Sequence, residues 1–250
     1  FAGKINLKSG SNFSSKLGNN GSIIPYTVVN TAVELQTAMN TLTGNYALGN
    51  NLNFTGVTWV KVGNIGSMYG GNFNGLGHTI DKLTMDGLSA PTRNTIGMFA
   101  YTKGAYISNI GLTHVTITGQ YYVGALVASA WEGTKIINSY TTGSVTGSNP
   151  NAGSGQEYGL VGGLVGNTLG SGDIVGSHSD AVVSGNNMVG GLVGGGIADI
   201  VNSYATGAVT GTSSNVGGLT GIIATGGSVE NSYATGNVIG GDNTGGLVGT

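Results

Sequence analysis

The sequence contains no cysteine. That removes disulfides and thiolate metal sites and leaves the fold to rest on packing and backbone hydrogen bonds. Proline occurs 3 times and charged residues make up only 7% of the chain, with 8 basic against 10 acidic side chains. Charge this sparse builds neither a phosphate-binding footprint nor a polybasic membrane patch, so no nucleic-acid partner is expected. Arginine occurs at Arg93 alone. No apolar run reaches the roughly 18 residues that a spanning helix needs, and no signal peptide is visible. HExxH, GxSxG, Walker and calcium-nonapeptide sequences are also missing, and no cofactor is expected.

What is present in excess is glycine, 50 residues of 250. High glycine is compatible with disorder, but an apolar fraction of 39% and a strict internal period argue for an ordered chain. The phrase Val161-Gly162-Gly163-Leu164-Val165-Gly166 returns with starts at 189, 216 and 244, and looser copies start at 96 and 123. The steps between starts are 27, 38, 28, 27 and 28 residues, the signature of a repeat architecture. A second phrase, Ile136-Ile137-Asn138-Ser139-Tyr140, alternates with the first and recurs from Ile200 and Val229, with degenerate copies from Ile107 and Ile174.

Short β-branched runs broken by Gly, Asn and Ser read as strands and turns. Each repeat is expected to hold three: a Gly-Gly-Leu strand, an Asn-Ser-Tyr strand and a Val-Thr strand. About 27 residues with three short strands suits one coil of a right-handed parallel β-helix. The chain is thus expected to be all-β, a solenoid of about eight coils and roughly 40 Å. Phe99, Leu126, Leu164, Leu192, Leu219 and Leu247 form an inward column. The glycine two places before each marks tight curvature or close approach of another wall. Asn138, Asn202 and Asn231 are aligned for an amide ladder, and His178 replaces tyrosine in the column of Tyr140, Tyr204 and Tyr233.

One stretch departs from the strand pattern. Thr31 and Glu34 make a capping box, and Leu35, Ala38, Met39 and Leu42 share one face. A helix over about 31–42, ended by Gly44, is expected to dock on the solenoid. The segment before it, 1–29, reads as strands of a preceding coil. Residues 1–95 therefore form N-terminal coils with a docked helix, and 96–250 a repeat region cut within its sixth copy, all one continuous solenoid. The chain reads as a piece of a longer protein.

The Gly-Gly-Leu-Val-Gly and Asn-Ser-Tyr-Ala-Thr-Gly phrases resemble the GLUG repeat of bacterial surface proteins over about 96–249. That repeat occurs in filamentous-haemagglutinin-like adhesins and in some IgA peptidases. Tyr46-Ala47-Leu48-Gly49, Trp59 and Phe73-Asn74-Gly75-Leu76-Gly77-His78 resemble the segment that precedes such repeats in two-partner-secretion adhesins. The resemblance implies a secreted or cell-surface stalk, carried out by an outer-membrane transporter, that attaches to a host-cell receptor or surface glycan. The alternative it leaves open is a passive spacer in a secreted enzyme such as an IgA peptidase.

Catalysis on sugars needs carboxylates gathered on one face. The ten acids do not recur at one strand position in successive coils, and His78, His114 and His178 are far apart in register, so neither an enzyme nor a metal site is expected. Irregular positions are the better binding candidates. The extra residues 148–158 supply Asn149, Gln156, Glu157 and Tyr158, and the neighbouring repeat supplies Tyr121, Tyr122, Trp131 and Glu132, with Trp131 in a turn. Such a loop either binds a sugar or binds nothing. The tyrosine column is likewise either a glycan-stacking surface or architecture. Asn12, Asn20 and Asn53 begin N-glycosylation sequons.

Overall fold

A computed structural model describes residues 3–16, 21–88, 94–148 and 159–249. The chain winds into a parallel β-solenoid of about six full turns with one short helix. Four walls run along it. Wall one stacks Tyr122–Gly124, Leu160–Gly162, Val189–Gly190, Val216–Gly217 and Thr244–Gly245. Wall two stacks Phe99–Lys103, Val127–Trp131, Val165–Leu169, Val193–Gly196 and Thr220–Ile223. Wall three has eight parallel rungs, from Ile23–Val29 to Ser228–Glu230, spanning about 34 Å at the usual strand spacing. Wall four holds the tyrosine column and the Val-Thr strands. The expected eight coils exist only as rungs of wall three; walls one and two carry five strands each.

The Gly-Gly-Leu phrase is a corner, not a strand. Val161-Gly162 ends wall one, Val165 begins wall two, and the chain reverses between them. The first glycine of the phrase lies against the following coil: a Cβ on Gly162 would stand 2.5 Å from Gly194 N and 2.8 Å from Val193 Cα. The second faces the opposite wall, where a Cβ on Gly191 would meet the Ala205 methyl at 2.8 Å. Tight curvature and close approach meet at the first glycine, whose Cβ would also overlap Val165 O of its own corner. Leucine fills the inside of the bend: Phe99, Leu126, Leu164, Leu192 and Leu219 are fully buried, and Leu247 in the last coil is half-buried against them.

Asn-Ser is a second corner, between walls three and four. Asn109, Asn138, Asn202 and Asn231 all have φ near +50°, a left-handed conformation that Asn tolerates and Gly176 supplies in the degenerate repeat. Asn138, Asn202 and Asn231 do not bond amide to amide; the side-chain amide bonds lie in the earlier coils, where Asn109 donates to Asn74 at 3.1 Å and Asn138 to Asn109 at 3.5 Å. Behind these asparagines runs a buried serine ladder. The amides of Ser139, Ser177 and Ser203 donate to the hydroxyls of Ser177, Ser203 and Ser232 at 3.0–3.1 Å. Each of these four hydroxyls donates to the carbonyl two residues before it.

Helix α1, Ala32–Ala38, is shorter than its periodicity implies and ends well before Gly44. Thr31 Oγ1 accepts from Glu34 N at 3.1 Å, and Glu34 reaches back to Asn30 N at 2.7 Å. The last apolar positions, Met39 and Leu42, continue the buried face through turns. Gly44 instead leaves room for the Tyr46 ring. Leu35 and Met39 are buried in the main core, so the helix is docked. Replacing both with Ser should lower the melting temperature and expose 30–45 to limited proteolysis. Unchanged melting and cleavage would show that the contact contributes nothing.

The first strand differs from expectation. Phe13–Lys16 pairs antiparallel with Ile23–Val29 and so is a hairpin on the edge of wall three, not a coil. Before it, Ile5 N bonds Leu76 O and Leu7 N bonds Gly49 O, so this segment runs as a strap across two successive coils.

Candidate functional site

The repeat is least regular where wall one would gain its next rung beyond Ile96. Residues 54–61 bow outward there instead of pairing. They leave a cleft of about 800 Å³ between themselves and the outer side of wall four. Its floor is apolar, from Phe54, Trp59, Met85 and Ile96; its rim is polar, from Thr58, Thr84, Thr116 and Asn94; Lys61, Lys82, His114 and Asp86 bring charge.

Two ties hold the bowed segment. Trp59 Nε1 donates to Met98 O at 3.1 Å. Gln36 of helix α1 grips Val60 with both amide atoms: Nε2 donates to Val60 O at 3.2 Å, and Val60 N donates to Oε1 at 2.8 Å. The docked helix therefore positions one side of the cleft. Lys61 is half-buried; Nζ donates to Asn94 Oδ1 at 2.7 Å and to Thr95 O at 2.8 Å. Burial pulls its pKa below the usual lysine value. Lys82 is exposed at φ +60°. His114 sits in a bulge of the strand Gly111–Gly119, where one extra residue breaks the register against Tyr140–Gly147. Its Nδ1 lies 2.7 Å from Asp81 Oδ1, which also accepts from Thr113. Those two hydrogen bonds, His114 first, hold the Asp81 carboxyl below its ordinary range.

Of the residues singled out beside the insertion, the two tyrosines and the Trp131–Glu132 pair lie at opposite ends of the segment 121–132. Tyr121 and Tyr122 stand at the foot of the insertion: Ser148 N bonds Gly119 O, and Leu160 N bonds Tyr121 O. Their rings are 4.1 Å apart and both are half-buried. Trp131 ends a wall-two strand and is not in a turn, with Nε1 donating to Ser129 Oγ at 3.0 Å. Glu132 follows it and pairs with Lys103 at 3.3 Å. Asn149, Gln156, Glu157 and Tyr158 lie outside the described residues, as does Asn20; Asn12 and Asn53 are exposed.

Two acids do recur at one strand position, contrary to the reading from sequence. Asp173 pairs in register with Asp199 in the next coil, in a column that also holds Lys135 and Ser228. Each acid has a partner within the column: Lys135 pairs with Asp173, and Ser228 donates to Asp199 at 2.8 Å. Among the described residues no group of three His, Asp or Glu side chains could hold a metal ion.

The tyrosine column is a face-to-face stack on the outer side of wall four. Tyr140 to His178, His178 to Tyr204 and Tyr204 to Tyr233 are 4.9, 4.5 and 5.0 Å apart, with ring planes within 8°. That is the rung spacing itself, so in-register pairing alone creates the stack. The rings present edges outward and bury their faces on one another. His178 is half-buried in it, and burial lowers its pKa.

No helix among the described residues is long and apolar enough to cross a membrane. The GLUG motif matches residues 185–210 and 212–239. Halomucin of Haloquadratum walsbyi is 38% identical over 99 residues, or 39% of this chain, which spans only 1% of halomucin's length. The crystal structure of a candidate immunoglobulin A1 protease from Bacteroides ovatus superposes with a TM-score of 0.72 at 22% identity, over 89% of this chain and 70% of that one. A second structure, titled IgA1 Protease, gives 0.70 at 21% identity over 96% of this chain and 20% of its own length. These likenesses establish the fold, and the chain is a GLUG-containing parallel β-helix.

Proposed function

We propose that this chain is a stiff stalk segment of a secreted or cell-surface protein. It holds other parts of that protein at a distance and has no catalytic activity of its own. The observation that carries this reading is the continuous register of wall three, eight rungs without a slip, from walls whose side chains mostly satisfy one another. The two structural neighbours with IgA1 protease titles favour a spacer within a secreted enzyme whose chemistry lies elsewhere.

A spacer's coils are interchangeable. Excising 189–215, one whole coil, should leave a folded rod about one strand spacing, roughly 5 Å, shorter by small-angle X-ray scattering. Neither form should cleave polysaccharide or immunoglobulin A. Collapse of the shortened chain, or turnover of either substrate, would defeat the reading. An adhesin stalk exported through an outer-membrane transporter, binding a host receptor or glycan beside the 148–158 insertion, is the second reading. The Tyr121–Tyr122 pair at the foot of that insertion favours it.

A further inference from the structure

We infer that the cleft under residues 54–61 binds a carboxylate-bearing sugar, of the uronic or sialic acid class, on Lys61 and Lys82. This goes beyond the stalk reading and survives or fails separately from it.

Lys61 carries the argument. An ammonium has three donors, and here two are used, both on uncharged oxygens. Among the described residues no carboxylate pairs with it. A half-buried cation with neutral partners and one donor to spare is suited to receive an anion. The bond it makes to a carboxylate is charge-assisted and stronger than any it makes now. Lys82 adds a second cation, whose ammonium makes no hydrogen bond or salt bridge among the described residues and acts on Asp81 only through its charge. The chain has only 8 lysines and arginines in 250 residues, so two on one cleft are a local concentration of charge.

The remainder of the lining fits a sugar rather than a bare ion. Thr58, Thr84, Thr116 and the Asn94 amide offer neutral hydrogen-bonding groups around the rim, and the apolar floor suits the C–H face of a pyranose. Asp86 also lines the cleft and already accepts from Thr118 and from Leu88 N. Its negative charge disfavours a multiply charged ligand such as a sulfated polymer. The cleft holds about 800 Å³, room for one or two sugar rings.

The test is calorimetric titration of the whole chain with digalacturonate, sialyllactose, lactose and sodium acetate at low and physiological salt. At least one acidic saccharide should bind tenfold or more tightly than lactose and than acetate. Lys82→Ala, at an exposed side chain with no hydrogen bond to lose, should weaken that binding at least threefold with unchanged melting. Lys61→Met should remove the preference over lactose. Equal binding of acidic and neutral sugars, acetate binding as well as the acidic sugars, or a Lys82→Ala variant that binds as tightly as the parent would each overturn the assignment.

Discussion

Gly190→Ala should be among the most damaging single-methyl additions the chain can receive. A Cβ there would overlap Val193 O and stand 2.6 Å from Thr220 Cα and 2.7 Å from Gly221 N. All three are backbone atoms. No rotamer change relieves the clash, and the corner must open or the next coil must lift away. Overpacking by mobile side chains costs about 1–3 kcal/mol, and a rigid backbone neighbour puts this case at or above about 3 kcal/mol. The same phrase contains its own control. Gly246 has nothing within 4 Å of its Cβ position, so Gly246→Ala should change stability little. Paired urea melts of the two variants measure the difference. Equal midpoints would mean that the glycine corner is not sterically required.

Leu192→Ala is expected to cost about 2–5 kcal/mol, because the side chain is fully buried between Leu164 and Leu219 in the same column and the rigid coils cannot collapse into the hole. Leu247→Ala, at a half-buried position in the last coil, should cost clearly less. A gradient along one column, measured by the same melts, separates cavity formation from a general effect of losing leucine. If Leu247→Ala proves as costly as Leu192→Ala, the column is not the core that its burial indicates.

The solenoid was legible because its period is carried by residue types that few others can replace at their positions. Glycine at the backbone crossings, leucine inside the bend and asparagine at the left-handed corner each mark a place where geometry is exacting. Their meaning was harder to read. Gly-Gly-Leu scores as an apolar strand, yet it is the point where two strands meet, because alternation alone cannot distinguish a strand from a bend filled by one large side chain. The serine ladder was hidden for a similar reason: Ser beside Asn reads as a turn, and only the stack reveals that its hydroxyl links one coil to the next. Helix α1 is legible from its cap and face, but its length is not, because Met39 at the C-cap and half-buried Leu42 carry the apolar face past the last helical residue.

The candidate site was the least legible part. The break in period that the sequence displays is at 148–158, where the spacing lengthens. The cleft under 54–61 lies before the recognisable repeats, where no period exists to be broken. Trp59 followed closely by Lys61 was its one local sign. The tie between Gln36 and Val60 joins residues 24 apart, and nothing in either neighbourhood announces it.

The hydrogen bonds between coils lie along the long axis, and the chain enters at one end of wall three and leaves at the other. Traction on the two termini therefore loads the outermost coil before the ones within. Coils of this kind peel singly, and each frees a length of thread far greater than its own thickness. The 27 residues from 189 to 215 occupy one rung but reach roughly 90 Å when drawn out. A rod that is rigid at rest becomes, under tension, a reel that yields line in steps and absorbs the work of each step.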